Sequence, residues 1–421
     1  MVRAGRAPAL FFAVFAAGLV VLSAPACRKR TATETEGEGA SAAASASTTS
    51  ASSAASAASA KDPSKGPAWS PRAIAKLDMH GHIDPEAALP VRRFLEAQGI
   101  GRVVNLSGGW AGEGLEETLQ MAKVTSGYYV IFANINFEGI GTRGWAAREV
   151  AQLERAKALG ARGVKIAKNL GLGVRFADGR RVPVDDPVLD PVFDAMGRLH
   201  MPLAIHTGDP KAFFEPMGPN NERMDELASH PAWSFADRAR FPAWEALYGE
   251  FERRVKRSKD TTIIGVHFGN APEEPDRIER MLATYPNFYV DTAARVPEIG
   301  RKPAEVRRVI MKYPDRVLFG TDIQLGGGML VLGAGEPYGH TRKDVDHFFR
   351  SSYEFFETNH KGFAHPTPIQ GNWTIDGIDL PPDVLEKVYH GNAERLLGLP
   401  PTPVVGPPPV GASPAGASGS E

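Results

Sequence analysis

The 421-residue sequence predicts an α/β fold, a (β/α)8 barrel, and two observations carry that expectation. Eight short apolar runs follow one another within residues 71–400, each bounded by turn residues, and longer segments with helical spacing separate them. Continuous runs of Val, Ile, Leu and Phe suit strands covered on both faces. Strands alternating with helices build parallel sheets, and eight such units in series point to a closed barrel. A doubly wound open sheet is the other architecture this alternation allows. No repeat of 20–50 residues is visible, which argues against a solenoid.

The runs, in order, cover 75–79, 102–106, 129–135, 163–167, 202–206, 262–267, 287–291 and 316–320. Val91, Phe94 and Leu95 after the first run, and Ala146, Val150 and Leu153 after the third, keep the spacing of one apolar helix face.

Both ends lie outside the expected barrel. Residues 1–27 read as an export signal, with Arg3 and Arg6 ahead of an apolar stretch containing Phe11, Phe12, Val14, Phe15, Leu19, Val20 and Val21. That stretch is short of the ~20 apolar residues a bilayer span requires. Ala24-Pro25-Ala26 suits ordinary signal cleavage, whereas a small residue just before Cys27 resembles a bacterial lipoprotein processing site, with Cys27 as the acylated residue. The expectation is an exported protein, held at the membrane only through a lipid on Cys27 or free in the periplasm. Residues 28–70 are rich in Ala, Ser and Thr, too poor in apolar surface to offset the entropy of ordering, and read as a disordered linker. Residues 401–421, rich in Pro, Gly and Ala, read as a disordered tail.

The charges nearly cancel, 48 Lys+Arg against 49 Asp+Glu, and no long basic run exists. That balance disfavours a nucleic-acid binder, whose affinity comes from phosphate contacts. A single cysteine excludes an intramolecular disulfide framework and a Cys-rich zinc site. A small molecule is the expected partner, and a homo-oligomer is compatible with this composition.

In a (β/α)8 barrel the active site lies at the carboxyl ends of the strands. The first run continues into His80-Gly81-His82, and alternation puts both imidazoles on one side, where they can grip one metal ion. His206 closes the fifth run, His267 the sixth, and Asp322 follows the eighth. Singly, each has a plain reading as a hydrogen-bonded surface residue or a helix cap. Together they put four imidazoles and a carboxylate at one end of the barrel. The other histidines, His200, His230, His340, His347, His360, His365 and His390, fall elsewhere.

This constellation resembles the amidohydrolase superfamily, in the amidohydrolase-related branch that includes metal-dependent hydrolases and the aminocarboxymuconate-semialdehyde-decarboxylase-like enzymes. The motifs that carry it are Asp78-Met79-His80-Gly81-His82, Ile205-His206-Thr207, Val266-His267-Phe268-Gly269-Asn270, Phe319-Gly320-Thr321-Asp322 and the closing His390-Gly391-Asn392-Ala393-Glu394-Arg395-Leu396-Leu397-Gly398-Leu399. The resemblance implies a TIM barrel in which His80, His82, His206 and Asp322 hold one divalent metal, most often Zn2+. His267 would stand beside it as an acid/base or polarising residue. Mixed imidazole and carboxylate ligands agree with zinc and leave a position open. Lys165, near the end of the fourth run, is read as a substrate-carboxylate lysine or an ion-pair lysine; a carboxylated lysine bridging two metals, as in other branches, is the third reading, one the resembled branch does not usually show. Arg295 after the seventh run could fork onto a substrate carboxylate, and Asn270 is a further substrate-binding candidate. The Gly326-Gly327-Gly328 run lacks the Gly-Lys-Ser/Thr ending of a phosphate loop.

The expected reaction is metal-assisted hydrolysis of an ester, lactone or amide. Asp322 would carry the water proton to the leaving group and His267 would stabilise the oxyanion. The alternative from the same residues is non-oxidative decarboxylation of a small carboxylic acid, with Lys165 or Arg295 orienting the acid. A binding protein without catalysis is the reading from a different class, disfavoured by the presence of His267.

Overall fold

A computed structural model of the chain describes residues 69–333 and 339–406. The expected export signal, Cys27 and nearly all of the linker lie outside these residues. No helix among the described residues is long and apolar enough to cross a membrane.

Eight parallel strands stand side by side in chain order: β1 Leu77–Ile83, β2 Arg102–Asn105, β3 Tyr129–Asn134, β4 Gly163–Ile166, β5 Leu203–Ile205, β6 Ile263–Gly265, β7 Phe288–Asp291 and β8 Val317–Leu318. The pleat sorts their side chains between two cores. On β3, Val130 and Phe132 join an inner cluster with Val104, Ala204, Ile264 and Leu318. Tyr129, Ile131 and Ala133 join the outer cluster, with helix residues such as Leu95, Leu153 and Phe193. This two-sided burial is why the strands read as unbroken apolar runs.

The ring closes through a broken stave. β8 pairs with β7 at Val290↔Val317, and a few residues later β9, Ile323–Gly326, runs parallel beside β1 at Gly81↔Ile323. Between the two, Met79 N donates to Phe319 O at 2.9 Å and Asp322 N donates to His80 O at 2.8 Å. The eighth strand therefore serves β7 with its first half and β1 with its second. β10, Met329–Val331, folds back antiparallel on β9. The two-residue turn is Gly327-Gly328, both with positive φ, as a twisted hairpin requires. The glycine run is thus a hairpin turn.

Helices cover the outside. The helix Arg342–Glu357 opens on a capping box between Thr341 and Asp344 and buries Val345, Phe348, Phe349, Phe355 and Phe356. The last helix, Asn392–Leu397, sends Ala393 and Leu397 into the inner cluster. Asn392 Nδ2 donates to the carbonyl of Val317 at the start of β8, so this helix plugs the amino end of the barrel. The expected disordered tail begins too early at 401. Arg102 Nη1 donates to Pro400 O at 2.6 Å, and Thr402 is buried with its N–H on Glu394 Oε1.

Candidate metal centre

Leu77 and Met79 both belong to the inner cluster, so strict alternation would send His80 and His82 outward among the helices. A bulge prevents this. The β1–β2 register runs Leu77↔Arg102 and Asp78↔Val103, then resumes at Gly81↔Asn105. The extra residue changes the parity of the strand, turning Ile83 into the outer cluster and both imidazoles toward the barrel mouth. Gly320 leaves room for this strand, since a Cβ there would stand 3.1 Å from His80 Cβ.

Asp322 joins the two imidazoles. Its Oδ1 lies 3.4 Å from His80 Nε2 and 3.4 Å from His82 Nε2. Both rings are anchored through their other nitrogen. His80 Nδ1 lies 2.9 Å from Asp291 Oδ2 and His82 Nδ1 lies 2.6 Å from Ser107 Oγ. Because a carboxylate only accepts, His80 Nδ1 donates and its Nε2 presents a lone pair inward. The ligand atoms of His80, His82 and Asp322 lie within 4.8 Å of one another, close enough to share one ion.

His206, just past β5, sits outside that trio. Its buried Nε2 has no hydrogen-bond partner, the Asp209 Oδ1 at 3.4 Å being too poorly placed to serve as one. A buried ring nitrogen without a partner is costly, and a cation between it and the trio would satisfy it. With its inward-facing lone pairs and one carboxylate, this donor set fits a divalent metal. Lys165, fully buried on β4, places Nζ 3.3 Å from His80 Nε2.

The sixth strand ends in an unusual way. After β6 the backbone makes a left-handed turn, with φ of 57° at His267, 54° at Phe268, 69° at Gly269 and 61° at Asn270. Left-handed conformations cost L-residues roughly 1–2 kcal/mol each, so other contacts must hold the turn. His267 N donates to Asp291 Oδ1 at 2.7 Å and Asn270 N donates to Val266 O at 2.8 Å. His267 Nδ1 donates to Ala293 O at 2.9 Å. A carbonyl can only accept, so the neutral ring offers a lone pair at Nε2. His267 packs against both neighbours, tilted to His80 with ring centroids 4.9 Å apart and edge-to-face with His206 at 4.3 Å.

Burial governs protonation here. It pushes His80 and His267 well below the usual imidazole range and His206 down to about 4, with the nearby Lys165 acting in the same direction. These rings are neutral at physiological pH, the form that binds metal. Burial also brings Lys165 down to about 8 and Asp291 up to about 6. For Asp322, burial opposes ionisation, yet His80, His82 and Lys165 outweigh it and hold the carboxyl below its ordinary value.

Two expected substrate-binding residues are held by contacts within the protein. Asn270 accepts from Thr207 N at 2.8 Å and donates to Ile205 O at 3.2 Å, so its amide ties the end of β5 to the left-handed turn. Arg295 is buried with Nη1 on Ala294 O, and its Nη2 lies 3.8 Å from Asp209 Oδ1. Asp209, which also pairs with Lys168 at 2.7 Å, and Asp291 escaped the sequence reading. Each follows or ends a strand as an ordinary turn-type residue would. Replacing Asn270 by Ala leaves the buried Thr207 N–H without a partner and puts a Cβ-bearing residue with no polar side chain at positive φ. Urea unfolding is expected to show a loss of about 2–5 kcal/mol.

A barrel that gathers imidazoles and a carboxylate at the carboxyl ends of its strands has the design of a metal-dependent barrel enzyme. The sequence matches the amidohydrolase family model over residues 77–399, and the chain belongs to that family. It is an enzyme, a metal-dependent hydrolase or lyase of the amidohydrolase type. No curated protein sequence matches it significantly. Among solved structures it is similar to an uncharacterised TIM-barrel protein of Bordetella bronchiseptica, with 19% identity over 77% of this chain and 98% of that one and a TM-score of 0.45. It is also similar to a 2,6-dihydroxybenzoate decarboxylase from Rhizobium, with 17% identity over 77% and 99% of the chains and a TM-score of 0.44. A dihydroxybenzoic acid decarboxylase from a Polaromonas species, solved with manganese and the inhibitor 2-nitroresorcinol, shows 16% identity over 77% and 97% and a TM-score of 0.45.

Proposed function

We propose that the chain is a zinc-dependent hydrolase that opens an ester, lactone or amide of a small substrate. The observation that carries this reading is the placement of Asp322. One of its oxygens lies 3.4 Å from the inward nitrogens of both His80 and His82, and the side chain remains 14% exposed. A divalent ion held by His80, His82, His206 and Asp322 supplies Lewis acidity toward a carbonyl and lowers the pKa of water toward ~7. Asp322 Oδ2 takes the proton of the attacking water and delivers it to the leaving group. His267 enters neutral, so its Nε2 accepts a hydrogen bond from the second proton of that water and aims its lone pair at the carbonyl.

His267→Gln keeps a polar side chain but loses the proton-accepting ring. Its kcat is expected to fall about 10²–10³-fold with KM and metal content near those of the parent, as read by steady-state kinetics and elemental analysis. A loss under threefold would remove His267 from the mechanism.

A second reading, decarboxylation of a small carboxylic acid, is favoured by two buried cations. Lys165 lies against His80 and Arg295 lies near Asp209, and either can orient a carboxylate. Metal analysis of protein made without chelator, followed by parallel assays, separates the two readings. Ester, lactone or amide opening supports hydrolysis. Carbon dioxide release from hydroxybenzoates without any opening overturns it in favour of the second reading.

A further inference from the structure

Asp291 ends β7, which the split eighth strand separates from β1, and is fully buried. One of its oxygens, Oδ2, accepts from His80 Nδ1 at 2.9 Å. The other, Oδ1, accepts from His267 N at 2.7 Å and from Ala293 N at 3.1 Å. Ala293 in turn offers the carbonyl that receives His267 Nδ1. A single carboxylate therefore touches the ring of one histidine from β1 and the backbone of another from the left-handed turn after β6.

We propose that Asp291 is a positioning residue that sets the tautomer of His80 and the placement of His267 together. This inference rests on the reading of His80 as a metal ligand. The carboxylate accepts the Nδ1 proton, which leaves the Nε2 lone pair facing Asp322 and the metal position. The same group closes the first N–H of a backbone conformation that L-residues otherwise avoid. Metal binding and the aim of the acid/base histidine are thereby tied to one side chain outside the proposed ligand set.

The substitution Asp291→Asn divides the two tasks. The amide oxygen can still accept from His267 N and Ala293 N. Its NH2 then faces His80 Nδ1, where only a lone pair is acceptable. His80 must shift its proton to Nε2, the nitrogen that would bind metal. Asp291→Ala removes both contacts, and Glu149→Gln, at a buried carboxylate on an outer helix, controls for the loss of a buried charge.

The experiment uses the full chain and three readouts. Histidine 15N shifts of the metal-free protein report the His80 tautomer. Competition with a chelator gives the cobalt(II) dissociation constant, and the cobalt d–d spectrum reports the ligand set. Circular dichroism confines the comparison to variants that remain folded. Asp291→Asn is expected to bind cobalt about 10–100-fold more weakly, with His80 protonated at Nε2 and an altered spectrum. Asp291→Ala is expected to lose affinity as well, and Glu149→Gln to match the parent. If the parent binds cobalt through His80 and Asp291→Asn keeps the parental tautomer and an affinity within twofold, the inference fails while the proposed function stands. If the parent binds no cobalt, the proposed function fails and the coupling to metal fails with it. Should Asp291→Asn not fold, the parent's own 15N shifts decide: an Nε2-protonated His80 overturns the proposal.

Discussion

Asp322→Asn is expected to lower kcat about 10³–10⁴-fold, the largest effect of any single substitution in the site. The replacement has nearly the same volume, and asparagine tolerates the positive φ of 64° at this position. The fold, including the bond from residue 322 N to His80 O, should therefore survive. Two chemical properties are lost together. An amide is a poor metal ligand, and it cannot carry a proton from water to a leaving group. Elemental analysis should show reduced metal retention, and excess metal should restore occupancy without restoring turnover. Activity above a tenth of the parent value in the reloaded variant would remove Asp322 from proton transfer.

Stripping the metal is expected to abolish turnover, and returning a divalent ion should restore it. The neutral state of His80, His206 and His267 means that the emptied site keeps its lone pairs ready for reloading. Because metal binds the folded chain and not the unfolded one, the melting temperature should rise with free metal. At 100 times the dissociation constant the gain is about 2.7 kcal/mol. Undiminished activity after exhaustive chelation, together with undiminished activity of Asp322→Asn, would sink the hydrolase and the decarboxylase readings alike.

The barrel was legible because buried parallel strands leave a one-dimensional trace, an apolar run that needs no partner to be recognised. Each expected run lies within a few residues of the strand found. The site was legible only in part, since type and position along the chain identify His80, His82, His206, His267 and Asp322 but not how they are aimed. Simple alternation brings His80 and His82 to the same side, yet the bulge decides that this side is the mouth. Nothing in Met79-His80-Gly81 announces an extra residue in the ladder. Asp291 was invisible because its partners lie on β1 and after β6, far away in sequence. Asn270, in contrast, was visible, but its partners were not. Its amide chemistry suits a ligand and a backbone clasp equally, and only the proximity of Thr207 and Ile205 chooses the clasp.

The plug formed by Asn392–Leu397 has a consequence for the order in which this chain is made. β1 closes the ring only by pairing with β9, some 240 residues downstream, as in Gly81↔Ile323. The amino end is sealed later still, when Ala393 and Leu397 arrive and Arg102 meets Pro400. During synthesis the early strands must wait, with their inner faces uncovered, until almost the whole barrel has left the ribosome. Such distant pairings make closure slow. A chain halted before residue 392 should be a target for chaperones and proteases.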